Sequence, residues 1–265
     1  MMVIVMKTFL SWNINGIRAC ANKGLIEWTE QFADAAIGLQ EIKAQEHQIP
    51  ENLLQGLTEQ ELVLHPAKRP GYSGVANIFP KSWGTPQITL GIGEDRFDDE
   101  GRLLILEWPD VVLYTGYYPN GQRDHGRVDY KLAFSEAVLQ HALKKKKETG
   151  KVIVLTGDFN TAHHPIDLAN PKQNLKTTGF LPNERAWMDR LTEAGFIDCF
   201  RMIHPEQTGA YTWWTYRGDC RERNIGWRID YFFVDNDSAD KVLDCFIQPD
   251  VMGSDHCPIG LVLDL

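Results

Sequence analysis

The sequence predicts an α/β fold: a four-layer sandwich of two packed mixed β-sheets flanked by helices. Three observations carry that expectation. Short apolar segments rich in Val, Ile and aromatic residues recur along the chain at strand length. Longer segments with apolar residues at helical spacing lie between some of them. No linker or low-complexity tract divides the 265 residues, and Pro and Gly are spread throughout.

The elements follow in order. Met1–Phe9 is briefly apolar, is interrupted by Lys7, and lacks the basic n-region and small-residue cleavage site of a secretory signal. It reads as a short leader running into a first strand, with Met6 an alternative start. The strand-like segments are Phe9–Trp12, Ala36–Leu39, Val75–Phe79, Leu103–Trp108, Val111–Tyr114, Val152–Thr156, Tyr211–Trp214, Ile229–Val234 and Ile259–Leu263. Helical patterns cover Gly24–Ala35, Asp129–Thr149 and Pro182–Ala194. In the long one, Leu132, Phe134, Ala137, Val138, Leu139 and Leu143 lie near helical spacing. In the last, Pro182 and Glu184 are start signals and Gly195 a stop. The Lys144–Lys147 run ends the long helix, where cations suit the helix dipole, and reads as a solvated last turn.

Composition sets limits. Hydrophobic residues make up 43% and charged residues 24%, which excludes a disordered chain. No run approaches the ~20 apolar residues of a transmembrane helix. Five cysteines, Cys20, Cys199, Cys220, Cys245 and Cys257, form an odd set without a C-x-x-C, so neither a disulfide framework nor a zinc knuckle is indicated. They read as buried or inert thiols in a reducing cytosol. The net charge of −9 excludes a globally basic nucleic-acid coat. It leaves room for a local basic path, or for carboxylates gathered around a metal.

Polar residues crowd at strand ends. In Ser11-Trp12-Asn13-Ile14-Asn15-Gly16, Asn13 and Asn15 face one side of an extended segment, although Asn-x-Asn-Gly is also turn chemistry. Glu41 directly follows an apolar strand, as a helix cap or a magnesium ligand does. Val152–Thr156 delivers Asp158 and Asn160 to the same side, with Phe159 turned to the core. One anionic acceptor beside one amide suits an attacking water held near a phosphate; an Asx-turn is the alternative. Asp255 and His256 precede the last strand, and Asp230 offers a carboxylate to orient the imidazole and raise its basicity. Gly91-x-Gly93 lacks the third glycine of a dinucleotide loop. His163-His164, adjacent in an extended segment, point to opposite faces.

Together these motifs resemble one family, the exonuclease III class of apurinic/apyrimidinic (AP) endonucleases, within the endonuclease/exonuclease/phosphatase superfamily. The match runs from Ser11-Trp12-Asn13 to Ser254-Asp255-His256. It includes Gly71-Tyr72-Ser73-Gly74-Val75, Gly101-Arg102, Tyr117-Tyr118-Pro119-Asn120, Ile166-Asp167-Leu168, Gly179-Phe180, Tyr211-Thr212-Trp213-Trp214 and Gly226-Trp227-Arg228-Ile229-Asp230-Tyr231. The resemblance implies a single endonuclease/exonuclease/phosphatase domain over residues 1–265 with a magnesium site at the sheet edges, manganese being a plausible substitute. By position, Glu41 matches the metal-binding glutamate, with Asn13 beside it and Asp255 a further acidic residue sometimes assigned to metal. Asn15 stands where some relatives carry Asp. Asp158 matches the residue that positions or deprotonates water, and Asn160 and Asn120 the phosphate- and water-orienting amides. Tyr117 matches the active-site tyrosine, His256 the phosphate-binding histidine and Asp230 its partner.

The substrate surface is expected around Tyr211, Trp213, Trp214 and Trp227, interleaved with Arg217, Arg221, Arg223 and Arg228. Arginines hold phosphates while apolar rings receive an unstacked nucleotide. By family position Trp213, Trp227 and Ile229 line a pocket for a flipped, base-less sugar; Trp213 stands where some relatives have Phe. Arg123 and Arg127 would contact the DNA backbone, and Tyr72 lies in a loop resembling one that grips DNA.

The expectation is therefore a magnesium-dependent DNA repair nuclease that hydrolyses the phosphodiester 5′ to abasic sites in duplex DNA and leaves a 3′-hydroxyl, with 3′–5′ exonuclease and 3′-end-cleaning activity. Its partners would be duplex DNA with abasic or damaged 3′ ends. It would act as a monomer away from membranes, in a prokaryotic cytoplasm at the nucleoid. The rivals are an RNase, nonspecific DNase or small-phosphoester phosphatase on the same fold, and a noncatalytic DNA-binding module.

Overall fold

A computed structural model describes residues 6–265. The leader read over residues 1–5 lies outside them. Twelve strands run β1 (Met6–Asn13), β2 (Ala35–Gln40), β3 (Gln60–His65), β4 (Val75–Pro80), β5 (Gln87–Leu90), β6 (Leu103–Glu107), β7 (Val111–Tyr117), β8 (Val152–Asp158), β9 (Phe196–Asp198), β10 (Asp230–Asp235), β11 (Val242–Ile247) and β12 (Ile259–Asp264). The α-helices are α1 (Ile17–Cys20), α2 (Ile26–Glu30), α3 (Glu51–Gly56), α4 (Asp95–Asp98), α5 (Val128–Thr149), α6 (Pro182–Glu193) and α7 (Cys199–Ile203).

The strands form two six-stranded sheets, ordered β11-β12-β1-β2-β4-β3 and β5-β6-β7-β8-β10-β9. Each is mixed, with one parallel pair near its middle: β1 beside β2, and β7 beside β8. Strand alternation builds the four layers. Phe9, Leu113, Val154 and Leu261 face the space between the sheets, with Phe79, Leu106 and Phe232. Their neighbours Leu10 and Trp12 turn outward onto Ile17, Leu25, Trp28 and Leu53. On the other outer face, Val112 and Leu155 pack against Phe134, Val138 and Leu139 of α5 and Met188 and Leu191 of α6.

The central strands sit close to their expected positions. The four strands outside the segments read from sequence, β3, β5, β9 and β11, are the four sheet edges. An edge strand such as β5, exposed at every residue, carries no two-sided apolar run to betray it. Two expectations are corrected. The helix placed over Gly24–Ala35 begins earlier, at Ile17, is broken where Gly24 adopts φ 106°, and ends at Glu30. Ala35 already belongs to β2. Tyr211–Trp214 is no strand: it is a loop whose Thr212 and Trp213 N–H groups both donate to the Trp227 carbonyl.

The Lys144–Lys147 run is only partly solvated. Lys145 pairs with Glu107 at 2.8 Å and Lys146 with Asp235 at 2.6 Å, tying the end of α5 to the second sheet. All five cysteines are free thiols, four of them buried. Among the described residues no helix is long and apolar enough to cross a membrane.

Two glycines let the site assemble. Gly38 of β2 faces Thr115 of β7, and a Cβ there would lie 2.8 Å from the threonine side chain, so the sheets approach closely at this point. Gly157 has φ 129° and pairs with Gly116 across β7 and β8; its Cβ would fall 1.8 Å from the Gly116 carbonyl oxygen. Gly157→Ala would therefore push β8 off β7 immediately before Asp158. Overpacking and an incompatible φ together should cost at least about 3 kcal/mol, a Tm drop of roughly 6–12 °C. Thermal melts of the variant against wild type check this; an unchanged Tm would mean that the two strands need no such approach.

Candidate active site

The sheets bring their polar strand ends to one rim. In the first sheet Asn13 ends β1, and Glu41 follows β2 in the left-handed region at φ 53°. In the second, Tyr117 ends β7, Asp158 ends β8 and Asp230 begins the antiparallel β10. The loop entering β12 adds Asp255 and His256. That loop is pinned to β1: Ser254 Oγ donates to the Asn13 carbonyl at 2.7 Å, and Trp12 Nε1 to the His256 carbonyl at 3.1 Å.

Asn13 joins the sheets. Its amide nitrogen donates to Glu41 Oε1 at 3.0 Å and to Asp158 Oδ2 at 2.9 Å, and its oxygen accepts the Asn15 N–H. Asn13, expected beside Glu41 at the metal site, is the donor that holds two carboxylates together.

Asp158 is buried. Oδ1 accepts the Asn160 N–H at 2.7 Å, and the Asn160 side chain donates to Oδ2 at 3.2 Å. Desolvation raises its pKa well above the carboxylate range, a rise that the His256 charge opposes and that Asp230 and Glu41 reinforce. His256 Nδ1 donates to Asp230 Oδ2 at 2.9 Å, and Thr212 Oγ1 donates to the same oxygen at 2.6 Å. His256 Nε2 lies 3.8 Å from Asp158 Oδ2. Burial works against the imidazolium, but Asp230 and Asp158 outweigh it and raise His256 to about 10. The ring is a cation at neutral pH. Burial and the adjacent Glu41 raise Tyr117, which stays a protonated phenol.

Asp158, Asp230 and His256 offer atoms within 4.8 Å of one another. His256 is hydrogen-bonded to Asp230 and in charge contact with Asp158, so the three form an ionic triad, and imidazole is a poor ligand for a hard ion. Oxygen donors suited to a hard divalent cation lie beside it. Glu41 Oε2 is paired with Lys43 Nζ at 2.6 Å, and the same ammonium contacts Asn15 Oδ1. A cationic group therefore already sits where carboxylate and amide oxygens converge. Burial pushes Glu41 up, but Lys43, Asn13 and Tyr117 hold it below its ordinary value, so it is an anion. Asp255 accepts from Asn15 Nδ2 at 2.9 Å and Trp213 Nε1 at 3.1 Å and is likewise held anionic. The donor set fits a hard divalent cation.

A cavity of about 450 Å³ opens over these groups. Its lining combines Glu41, Tyr117, Asn120, Arg123, Asp158, Asn160, Asp255 and His256 with the apolar Trp213, Trp227 and Ile229 and with Thr177, Thr178 and Gly179. Asn120 Nδ2 donates to Asn160 Oδ1 at 3.0 Å. Asn13 and Asp230 are not among the lining residues.

Tyr72 and Arg217 are not among the lining residues. The Tyr72 hydroxyl accepts from Arg102 at 2.9 Å; Arg102 also donates to the Tyr117 carbonyl and stacks on its ring at 4.8 Å. Arg217 is exposed on the 215–224 loop. The expected DNA-facing arginines need correction. Arg228 is buried, bonded to Asp167 at 2.9 Å and Asp198 at 2.7 Å. Arg221 donates to the carbonyls of Ser254, Pro249 and Val251 and stacks on Trp214. Both brace the site from behind. Arg127 is tied up by Glu100 at 2.8 Å. The sequence assigns no role to Lys43, Thr212, Thr177 and Thr178, since isolated polar residues in loops show no periodic signal.

The sequence matches the endonuclease/exonuclease/phosphatase family over residues 10–256. The chain belongs to that family. It is 41% identical over 260 residues to an exodeoxyribonuclease of Bacillus subtilis, covering 97% of this chain and 99% of the relative. It is 40% identical to the DNA repair nuclease APEX1 of Danio rerio, covering 96% and 81%. The fold is similar to that of the AP endonuclease LMAP from Leishmania major, with a TM-score of 0.89 and 27% identity over 98% of this chain and 88% of that one.

Asp167 anchors the aromatic wall, because Arg228 stands between Trp227 and Ile229. Burial pushes the Asp167 carboxyl up, but Arg228 and Arg201 outweigh burial and hold it at about 2. A depressed pKa stabilises the fold fully above the ordinary carboxylate value and less as pH falls toward 2. Asp167→Asn leaves buried guanidinium charge uncompensated and should cost about 3–5 kcal/mol, lowering Tm by roughly 10 °C at pH 7. Calorimetry at pH 7, 4 and 2.5 should show the gap between wild type and variant closing only at the lowest pH. A gap that stays constant would contradict the assignment.

Proposed function

We propose that this chain is a magnesium-dependent DNA repair hydrolase that cuts the phosphodiester on the 5′ side of an abasic site in duplex DNA and leaves a 3′-hydroxyl. Trimming of damaged 3′ ends would use the same centre. One observation carries the proposal: a single cavity is lined both by the polar groups Glu41, Tyr117, Asp158, Asn160 and His256 and by an apolar wall of Trp213, Trp227 and Ile229. Such a wall receives an unstacked, base-less sugar, and a missing base lowers the cost of extrusion by a few kcal/mol. Likeness to an exodeoxyribonuclease and a DNA repair nuclease along nearly the whole chain supports it. Both sheets supply groups to this cavity, which supports one catalytic domain.

The chain's groups divide the work. Asp158 accepts the proton of a water held by Asn160, and its raised pKa makes it a base matched to neutral pH. Water oxygen bonds to phosphorus as the bond to the 3′-oxygen breaks. His256, cationic and oriented by Asp230, holds a phosphate oxygen, and the protonated Tyr117 offers a second donor. Asn120 fixes the Asn160 amide. Glu41 and Asp255 would hold magnesium, with manganese a substitute. Held there, the ion would supply positive charge to offset the negative charge that builds up during hydrolysis.

A labelled duplex with one synthetic abasic site tests the proposal, beside an intact duplex and a recessed 3′ end. A single cut at the lesion is expected with magnesium and none with EDTA. Asp158→Ala should lower the rate by about 10²–10⁴-fold. No cut by folded, magnesium-loaded protein would refute the reading.

The rate should also depend on pH in a defined way, because Asp158 acts ionised and His256 acts protonated. The acid limb should lie well above the ordinary carboxylate range and the alkaline limb well above the ordinary imidazole range. Single-turnover rates from pH 5 to 10.5 check this. An alkaline limb near pH 6.5, or one that persists in His256→Ala, would exclude the cationic role.

A further inference from the structure

We propose that the buried pair Lys131–Glu184 is a positioning device that locks the Asn160 amide and the Thr177–Leu181 wall of the cavity into one register. It rests on the phosphodiester-hydrolase reading, since it concerns how that site is held.

Lys131 lies on α5 and Glu184 in the first turn of α6, and both are almost wholly buried. Lys131 Nζ donates to the Asn160 carbonyl at 2.7 Å and to Glu184 Oε1 at 2.6 Å. Glu184 Oε1 also accepts from Thr178 Oγ1 at 3.1 Å, and Oε2 accepts the Gly179 and Leu181 N–H groups. Beyond their mutual bond, the side-chain hydrogen bonds of the pair lead to two segments, and Asn160 of one and Thr177, Thr178 and Gly179 of the other line the cavity. They also touch each other: the Ala162 N–H donates to the Gly179 carbonyl at 2.8 Å.

A purely structural ion pair would not need this arrangement. Burying two charges costs more than packing apolar side chains of similar volume. The requirement comes from Asn160. Its φ of 50° is left-handed, a conformation that a residue with a side chain keeps only when its surroundings over-determine it. Asp158 holds its N–H and Lys131 its carbonyl. With the backbone fixed at both ends, the side-chain amide reaches Asp158 and Asn120. Glu184 then fixes Lys131 and, through Gly179, the wall that faces Trp227: a Cβ on Gly179 would lie 3.2 Å from that indole.

The test is a double-mutant cycle with Asn160→Ala, measured on the abasic duplex at a temperature where each variant is folded. Lys131→Met should lower kcat by about 10–100-fold, the range expected of a small displacement of a catalytic group, with KM within twofold. In the Asn160→Ala background the same change should lower kcat less than twofold. Amide hydrogen exchange, which needs no substrate, should quicken at 159–163 and at 177–181 together. If Lys131→Met does not fold because Glu184 is left charged, the doubly neutral Lys131→Met/Glu184→Gln carries the same measurements. Wild-type kcat in the folded variant, an equal loss in both backgrounds, or unchanged exchange in the two segments would overturn the proposal. If the wild type makes no cut at the abasic site, the functional reading has failed; exchange still decides whether the pair locks the two segments.

Discussion

One amide holds the two halves of the site together. Asn13 ends a strand of the first sheet, and its single NH₂ group contacts a carboxylate from each sheet, Glu41 at 3.0 Å and Asp158 at 2.9 Å. Two anions this near one another repel, and desolvation makes the repulsion worse. A neutral donor between them satisfies both without adding charge. The close approach at Gly38 and Thr115 brings the sheets near enough for this contact, and Asn77 Nδ2 donates to Thr115 Oγ1 at 2.9 Å beside it. The rest of the rim follows from where those two carboxylates lie.

The carboxylates nevertheless take different jobs, and their surroundings decide which. Glu41 is half-buried, with Lys43 against one oxygen, and stays ionised below its usual range. Asp158 is buried near Asp230 and Glu41, and desolvation pushes it the opposite way despite the His256 charge and the Asn160 N–H that oppose the rise. Environments that move two like groups apart leave one carboxylate held ionised and one poised to take up a proton. His256 completes the pattern. Asp230, held in turn by Thr212, keeps the imidazole charged inside the protein, so the cation is in place before any phosphate arrives.

The parts of this legible in the sequence are those repeated in a pattern or concentrated in a motif. Central strands such as Val152–Asp158 are apolar on both faces and announce themselves, and polar residues just beyond such runs mark the rim. The edge strands do not, because half their surface meets water: β5 has exposed residues throughout. The helix after β1 is hard to place from sequence because Gly24, which looks like a start signal, is a break inside it. The arginines were the harder case. Arg217, Arg221, Arg223 and Arg228 look alike in a row of residues, yet Arg228 is almost fully buried between two aspartates and Arg217 is in water. What separates them is Asp167 and Asp198, 61 and 30 residues away, and no local window contains both partners.

Buried ion pairs recur around the cavity: Arg228 with Asp167 and Asp198 behind the aromatic wall, Lys131 with Glu184 behind Asn160, and Arg102 with Glu100 behind Tyr117. None faces the substrate cavity, and apolar groups of equal volume would fill the same space as stably. What they add is direction. Dispersion contacts hold a side chain anywhere the packing is dense, whereas a guanidinium or ammonium with fixed acceptors holds it at one place and angle. Tyr117, Asn160, Trp227 and Ile229 are each within one residue of such an anchor or in contact with it. A phosphodiester must be met by an in-line water and by donors on its oxygens at once, and tolerances of that kind are met by groups whose supports cannot slide. The charges buried behind the wall therefore belong to the chemistry in front of it.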